Sequence, residues 1–223
     1  MTRVVVRNGG THVRSTDAVE REPRRPVDKF AERRRQLAGA ALQTLATLGY
    51  ARTSLRDIAQ NSEFSHGVLH YYFRDKVELI TYCVRQYKTH CVERYDAIAA
   101  DATDADDLAR DAGDGLAATL VDDALMHRLW YDLRAQSMFE ESFRLDVADI
   151  DASLERMIWR TVTAYAALTG REPRCSSALA YAAFDGLFQQ CLLRHLAGGT
   201  EAGDTSAADD LRAGTRTLLE RLV

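Results

Sequence analysis

The chain has 223 residues, 46% of them hydrophobic and 28% charged, with a formal net charge of −4. It is long enough for one large domain or two small ones and apolar enough to bury a core. No apolar run approaches the ~20 residues of a membrane span, and the valines at 4–6 are too short a run for the apolar segment of a secretory signal, so a cytoplasmic protein without a membrane partner is expected. The net charge hides an asymmetry. Residues 1–90 hold 16 Lys and Arg against 9 Asp and Glu, and the remainder holds 13 against 24. A basic first part beside an acidic second part suits a polyanion met by the first part only, although chance variation between segments would give a similar pattern. Cys83, Cys91, Cys175 and Cys191 form no CxxC pair and fall inside helical patterns, which fits reduced, buried thiols better than disulfides or a zinc site.

Period-3.6 patterns run through the chain and strand-like alternation is nearly absent, so the fold class is all-α. Residues 1–26 lack periodicity and carry Arg24, Arg25 and two prolines, which reads as a disordered basic arm. A first helix starts near Asp28, with Phe30, Leu37, Ala41, Leu45 and Leu48 as its apolar stripe, and Gly49 supplies a left-handed stop. Ser54 with Asp57 forms a capping box for a second helix, Ser65 caps a third that runs to about Phe73, and Asp75 with Glu78 caps a long fourth that reaches about Ala100. The acidic run 101–114 breaks the pattern, and short helices are expected over 106–120. Longer helices follow at 123–140, capped by Asp122 or Asp123, at 147–169, ending on Gly170, and at 175–197. A last one spans 206–222.

The second and third helices, joined by Asn61-Ser62-Glu63-Phe64, have the proportions of a head that enters a DNA major groove: a short helix exposed on one face, propped by another behind it. Phe64 and Leu69 are expected to bury and fix the angle between them. The segment resembles the DNA-binding domain of the TetR family of transcriptional regulators. The resemblance covers about Arg33 to Ile80. It is carried by Arg34, Leu37, Ala40-Ala41, Gly49-Tyr50, Thr53-Ser54, Ile58-Ala59, Ser65, Gly67, Leu69, Tyr71-Tyr72-Phe73, Lys76 and Leu79. It departs from the family at Ser62-Glu63, where Ala-Gly is usual, so Glu63 is expected to bear any left-handed strain in the turn. The implied division is an arm over 1–26, a three-helix helix-turn-helix DNA-binding domain over 27–77, and a helical bundle over 78–223 for ligand sensing and dimerisation.

By matched position, Ser65, His66, Gly67 and Val68 approach the bases, with His70 and Tyr71 one turn further on. Tyr72 and Lys76 hold phosphates, Thr53 or Ser54 offers a hydroxyl to the DNA backbone, and Arg56 reaches a base edge. Some of Arg33, Arg34 and Arg35 could touch phosphate or simply form a solvated face. Taken singly, Tyr71 and Tyr72 are more often core and Lys76 an ordinary helix start. His66 and His70 have a metal-ligand spacing, but no third ligand accompanies them, so no metal or other cofactor is expected.

In the bundle, Met126, His127, Trp130, Tyr131, Arg134 and Met138, joined by Trp159, offer aromatic walls and polar anchors for a small-molecule effector. The competing reading is plain core. Apolar residues cover much of the circumference of the 175–197 helix, more than a one-sided surface helix needs. Ala180, Phe184, Leu187, Phe188 and Cys191, with Leu154 and Ile158 before them, are therefore candidate homodimer-interface residues; burial within one subunit is the even-odds alternative. The resemblance implies a homodimeric regulator, foremost a repressor, that binds a palindromic double-stranded operator and is released by an effector of unidentified chemistry. The alternatives are a helical partner- or ligand-binding module that does not bind DNA, and an all-helical enzyme. The latter lacks a Ser-His-Asp set, paired carboxylates, a phosphate loop or a metal cluster, so no catalytic residue is assigned.

Overall fold

The computed structural model describes residues 26–49, 52–198 and 205–223. Nearly all of the expected basic arm, as well as Tyr50 and Gly199, lies outside the described residues. Among the described residues are nine α-helices, one short 3-10 helix and no strand, so the all-α expectation holds.

Helix α1 (Pro26–Leu48) begins two residues before the expected start. A proline at the first helical position lacks only an N–H that would have had no partner there. Gly49 ends the helix with φ +77°, its N–H donating to the Leu45 carbonyl. Leu37, Ala41 and Leu45 are fully buried, whereas Phe30 is 42% exposed. Phe30 leaves the core stripe to pack on the rings of Tyr71 and Tyr72.

Helix α2 (Leu55–Gln60) carries the expected capping box between Ser54 and Asp57. Helix α3 (His66–Tyr72) is capped by Ser65, whose hydroxyl accepts the Val68 N–H. Phe64 and Leu69 are buried between the two. Glu63 bears no left-handed strain, because no described residue other than glycine has positive φ. The turn closes by other bonds. The Ser62 N–H donates to the Ala59 carbonyl, and the Ser62 hydroxyl accepts the Phe64 N–H at 3.3 Å. A serine side chain thus does the closing that a glycine would otherwise permit.

Helix α4 (Lys76–Asp101) is capped by Asp75. It packs on α1 in the head and on α7 in the body. The helical pattern breaks at the start of the acidic run, over 102–104 between α4 and α5, and the rest of the run is helical. Asp104 caps a single helix α5 (Ala105–Asp122), with Asp106 and Asp107 in its first turn, where negative charge is favourable against the helix dipole. Helix α6 (Ala124–Ser137) stops three residues short of the expected end. A 3-10 turn (Glu141–Phe143) then leads directly into α7 (Arg144–Thr169), which ends at Gly170 in the left-handed conformation. Helices α8 (Ser177–Ala197) and α9 (Ser206–Leu222) complete the bundle, with α9 packed against α5 and α8. One apolar cluster runs from Leu37 and Phe73 in the head through Ile80 to Trp130, Phe143 and Phe184. Head and body therefore share a core through α4.

Candidate nucleic-acid interface and ligand cavity

Helix α3 presents its first turns outward. Ser65, His66, Gly67, His70 and Tyr71 are exposed, Val68 is half-buried and Leu69 fully buried. Tyr71 is 74% exposed, a value that decides against a core role. Tyr72 is half-buried, its ring 4.8 Å from that of Phe30. Arg56 is exposed on α2, and Lys76 opens α4 with its side chain half-exposed.

The structure removes some expected contacts. Thr53 is 3% exposed and its hydroxyl donates to the Gly49 carbonyl at 2.7 Å, so it ties α1 to α2 and has none to offer a phosphate. The Ser54 hydroxyl is exposed but already serves the capping box, donating to Asp57 Oδ2 at 2.6 Å. That box also holds the Asp57 carboxyl below its ordinary pKa. Arg34 lies between the Phe73 and Tyr82 rings, 4.6 Å from each centroid, and donates to Glu78 Oε1 at 2.6 Å. It is a strut between α1 and α4. Arg33 covers the Phe64 ring and Arg35 pairs with Glu32. The His66 and His70 rings meet edge to face at 4.5 Å, and no cluster of three His, Cys, Asp or Glu that could hold a metal occurs among the described residues.

Within the body, residues of α4 to α8 line an apolar cavity of about 60 Å³, room for a few waters, which a larger ligand would have to widen. Leu116, Leu154, Met157, Ile158, Phe184 and Phe188 supply most of its walls, and Lys88, His127, Trp130, Tyr131, Tyr181 and Asp185 its polar groups. Three of the seven expected effector residues line it: His127, Trp130 and Tyr131. Met126 packs on the core from outside, and Trp159 does the same from α7. Met138 lies beyond the end of α6 and is 70% exposed. Arg134 sits beside the cavity and is occupied, bonding Asp185 at 2.7 Å and Asp151 at 3.3 Å.

Lys88 was not among the expected residues. Among the described residues it is the one buried side chain with a formal charge, 5% exposed. Its Nζ is 3.2 Å from His127 Nδ1 and 5.5 Å from the ring centroids of both Tyr87 and Trp130. Burial pulls its pKa down to about 8. Burial, then the Lys88 and Arg94 charges, hold His127 well below the usual imidazole range, so His127 is neutral near pH 7. Nδ1 then accepts from Lys88 and the proton sits on Nε2. Both His127 Nε2 and Trp130 Nε1 are buried with no partner. The sequence signal for Lys88 was a cation at an apolar stripe position, between Val84 and Cys91 on the buried face of α4.

Residues 37–83 match the family model described as bacterial regulatory proteins, tetR family. Over these residues the head is similar to the DNA-binding head of that family. No curated protein matches the chain. Solved structures match nearly all of it in fold. A TetR transcription regulator from Haloarcula marismortui aligns with TM-score 0.69 at 16% identity, covering 86% of this chain and 99% of that one. The transcriptional regulator FadR from Bacillus subtilis, in complex with stearoyl-CoA, aligns with TM-score 0.66 at 18% identity over 85% and 97%. A putative regulator from Saccharomonospora viridis, in complex with choline, aligns with TM-score 0.63 at 19% identity over 85% and 96%. At these identities the likeness is one of fold.

Behind the head, the candidate dimer residues are covered within one subunit rather than presented outward. Leu154, Ile158, Phe184 and Phe188 line the cavity. Ala180 and Cys191 are fully buried, and Leu187 is half-buried against Gly214 of α9. They satisfy the apolar excess of α8 inside one subunit. The face left outward carries Leu179 and Leu193, 58% and 54% exposed. Ala182 and Gly186 lie between them, and nothing stands within 4 Å of a Cβ built on Gly186.

Proposed function

We propose that the chain is a ligand-responsive transcriptional regulator of the TetR type, binding double-stranded DNA through α3 and sensing a small molecule in the α4–α8 cavity. The outward presentation of His66, Gly67, His70 and Tyr71 on a capped helix, in a head that matches the family, carries this reading. Phosphates are held by Lys76 and the Tyr72 hydroxyl, and the bases are read by His66, Gly67, Val68, His70 and Tyr71, with Arg56 alongside. Residues 27–77 act as the reading head, and the body from 78 onward senses and dimerises. One recognition helix spans few base pairs, so two copies reading a palindrome is the arrangement that suits it. The outward stripe Leu179, Ala182, Gly186 and Leu193 fits a partner's copy of itself, because small residues at its centre permit close helix approach.

Two routes join cavity and head. Lys88 lies on α4, whose first turns belong to the head. His127, Trp130 and Tyr131 lie on α6, where Arg128 donates to the Thr47 carbonyl at the end of α1 at 3.1 Å. A ligand that spreads α4 and α6 would move both contacts and shift the spacing between paired heads. Release from operator makes repression the favoured direction. Turning a 99:1 population to 1:99 would require the ligand to prefer the released state by ~5.5 kcal/mol. Selection of bound sequences from a random DNA pool tests the reading. A palindrome is expected; recovery of no sequence above background, at low salt, would refute DNA reading. No described helix is long and apolar enough to cross a membrane.

A further inference from the structure

The polar groups of the cavity are lopsided. The two carboxylates nearest to it are already served. Asp185 accepts bonds from Arg134 at 2.7 Å and from the Tyr131 hydroxyl at 3.0 Å, and Asp151 accepts from the Tyr181 hydroxyl and pairs with Arg134. The donors are less well served. Lys88 has no carboxylate within ion-pair distance among the described residues; its polar contact is His127 Nδ1. Trp130 Nε1–H and His127 Nε2–H, on residues 1% and 7% exposed, have no acceptor. An unpaired buried ammonium is costly, and an unmet buried N–H adds to that cost.

Resting on the ligand-sensing reading above, we propose that the effector is an amphipathic monocarboxylate. Its carboxylate accepts from Lys88 Nζ and Trp130 Nε1–H, with His127 supporting the lysine, and its apolar body lies among Leu116, Leu154, Met157, Ile158 and Phe184. A cationic ligand is disfavoured because Lys88 itself stands over the two rings, Tyr87 and Trp130, that could otherwise have caged a quaternary ammonium. A second anionic group is disfavoured because the remaining polar wall, Asp185 with Tyr181, already carries an acidic partner set.

Titration calorimetry of the full chain with octanoate, octanol and octyltrimethylammonium tests this. Octanoate is expected to bind about tenfold or more tighter than octanol, as a charge-assisted hydrogen bond gives, and the cation least well. Lys88→Met is expected to abolish the advantage of octanoate while leaving octanol binding intact, and Trp130→Phe to reduce it without loss of the ring wall. Equal binding of octanoate and octanol, preferred binding of the cation, or undiminished octanoate binding by Lys88→Met overturns the carboxylate assignment. If octanol or the cation nevertheless releases the protein from its selected DNA, ligand sensing stands and the carboxylate class alone fails. If none of the three binds or releases it, both readings fall.

Discussion

A single lysine shows how a residue that weakens the fold can be the one that defines the site. Lys88 loses its proton near pH 8 when folded, against 10.5 for an ordinary lysine. Between those values the unfolded chain binds more protons than the native one, so the lysine's contribution makes stability rise with pH from about 8 to 10.5. Below pH 8 the full penalty is present, on the order of 3 kcal/mol. Lys88→Met should therefore be more stable than the parent at pH 7, with the difference shrinking as pH approaches 10. Urea midpoints of the two proteins at both pH values check this; a variant less stable at pH 7 would show that the ammonium is compensated. Lys76 makes a separate prediction. Lys76→Ala should weaken binding to all DNA sequences alike and lower the salt slope of log K by about one per head. Unchanged affinity and slope in binding isotherms across salt would remove Lys76 from the phosphate contacts.

At the scale of elements, helix ends decide the geometry of the head. Ser54 and Asp57 satisfy each other's backbone N–H groups, and α2 has only six residues, too few to hold itself together by propagation. Ser54→Ala should cost about 1 kcal/mol of stability, seen as a lowered thermal midpoint. Its effect on DNA affinity should exceed that expected from the small fraction unfolded, because α2 sets the angle of α3. The sequence made these ends readable: Ser54, Ser65, Asp75, Gly49 and Gly170 all do what their residue types suggest. It was less informative where polarity had two meanings. The aspartates at 104, 106 and 107 look like a linker by composition but start α5, since acidic residues at a helix N-terminus are stabilising. Met138 and Phe139 look like wall residues by hydrophobicity, yet they fall past the end of α6 and stand 70% and 82% exposed.

For the whole molecule, the connection between cavity and head and the outward face of α8 carry the testable content. Arg128 bonds the end of α1 from α6 without lining the cavity. Arg128→Ala should leave ligand affinity unchanged and reduce the ligand's effect on DNA affinity, and by linkage the DNA's effect on ligand affinity by the same factor. Fluorescence titrations with and without operator measure both. Leu193→Glu places a charge on the outward stripe of α8, exposed in one subunit and buried in the proposed pair. It should leave helicity intact and shift sedimentation to a monomer with weakened operator binding. A persistent dimer would mean that another surface pairs the subunits.

The sequence alone determined the helical class, the order and most caps of the elements, and the outward edge of α3 proposed to read DNA, because these depend on local spacing and on side chains that act within a turn or two of their own backbone. It left open which side chains of the body face one another. Whether Phe184 meets a partner subunit or closes a cavity, and whether Lys88 lies in solvent or beneath Trp130, depends on how helices distant in sequence rotate and stack. Only the tertiary structure decided that, since packing chooses among faces that hydrophobic periodicity leaves equivalent.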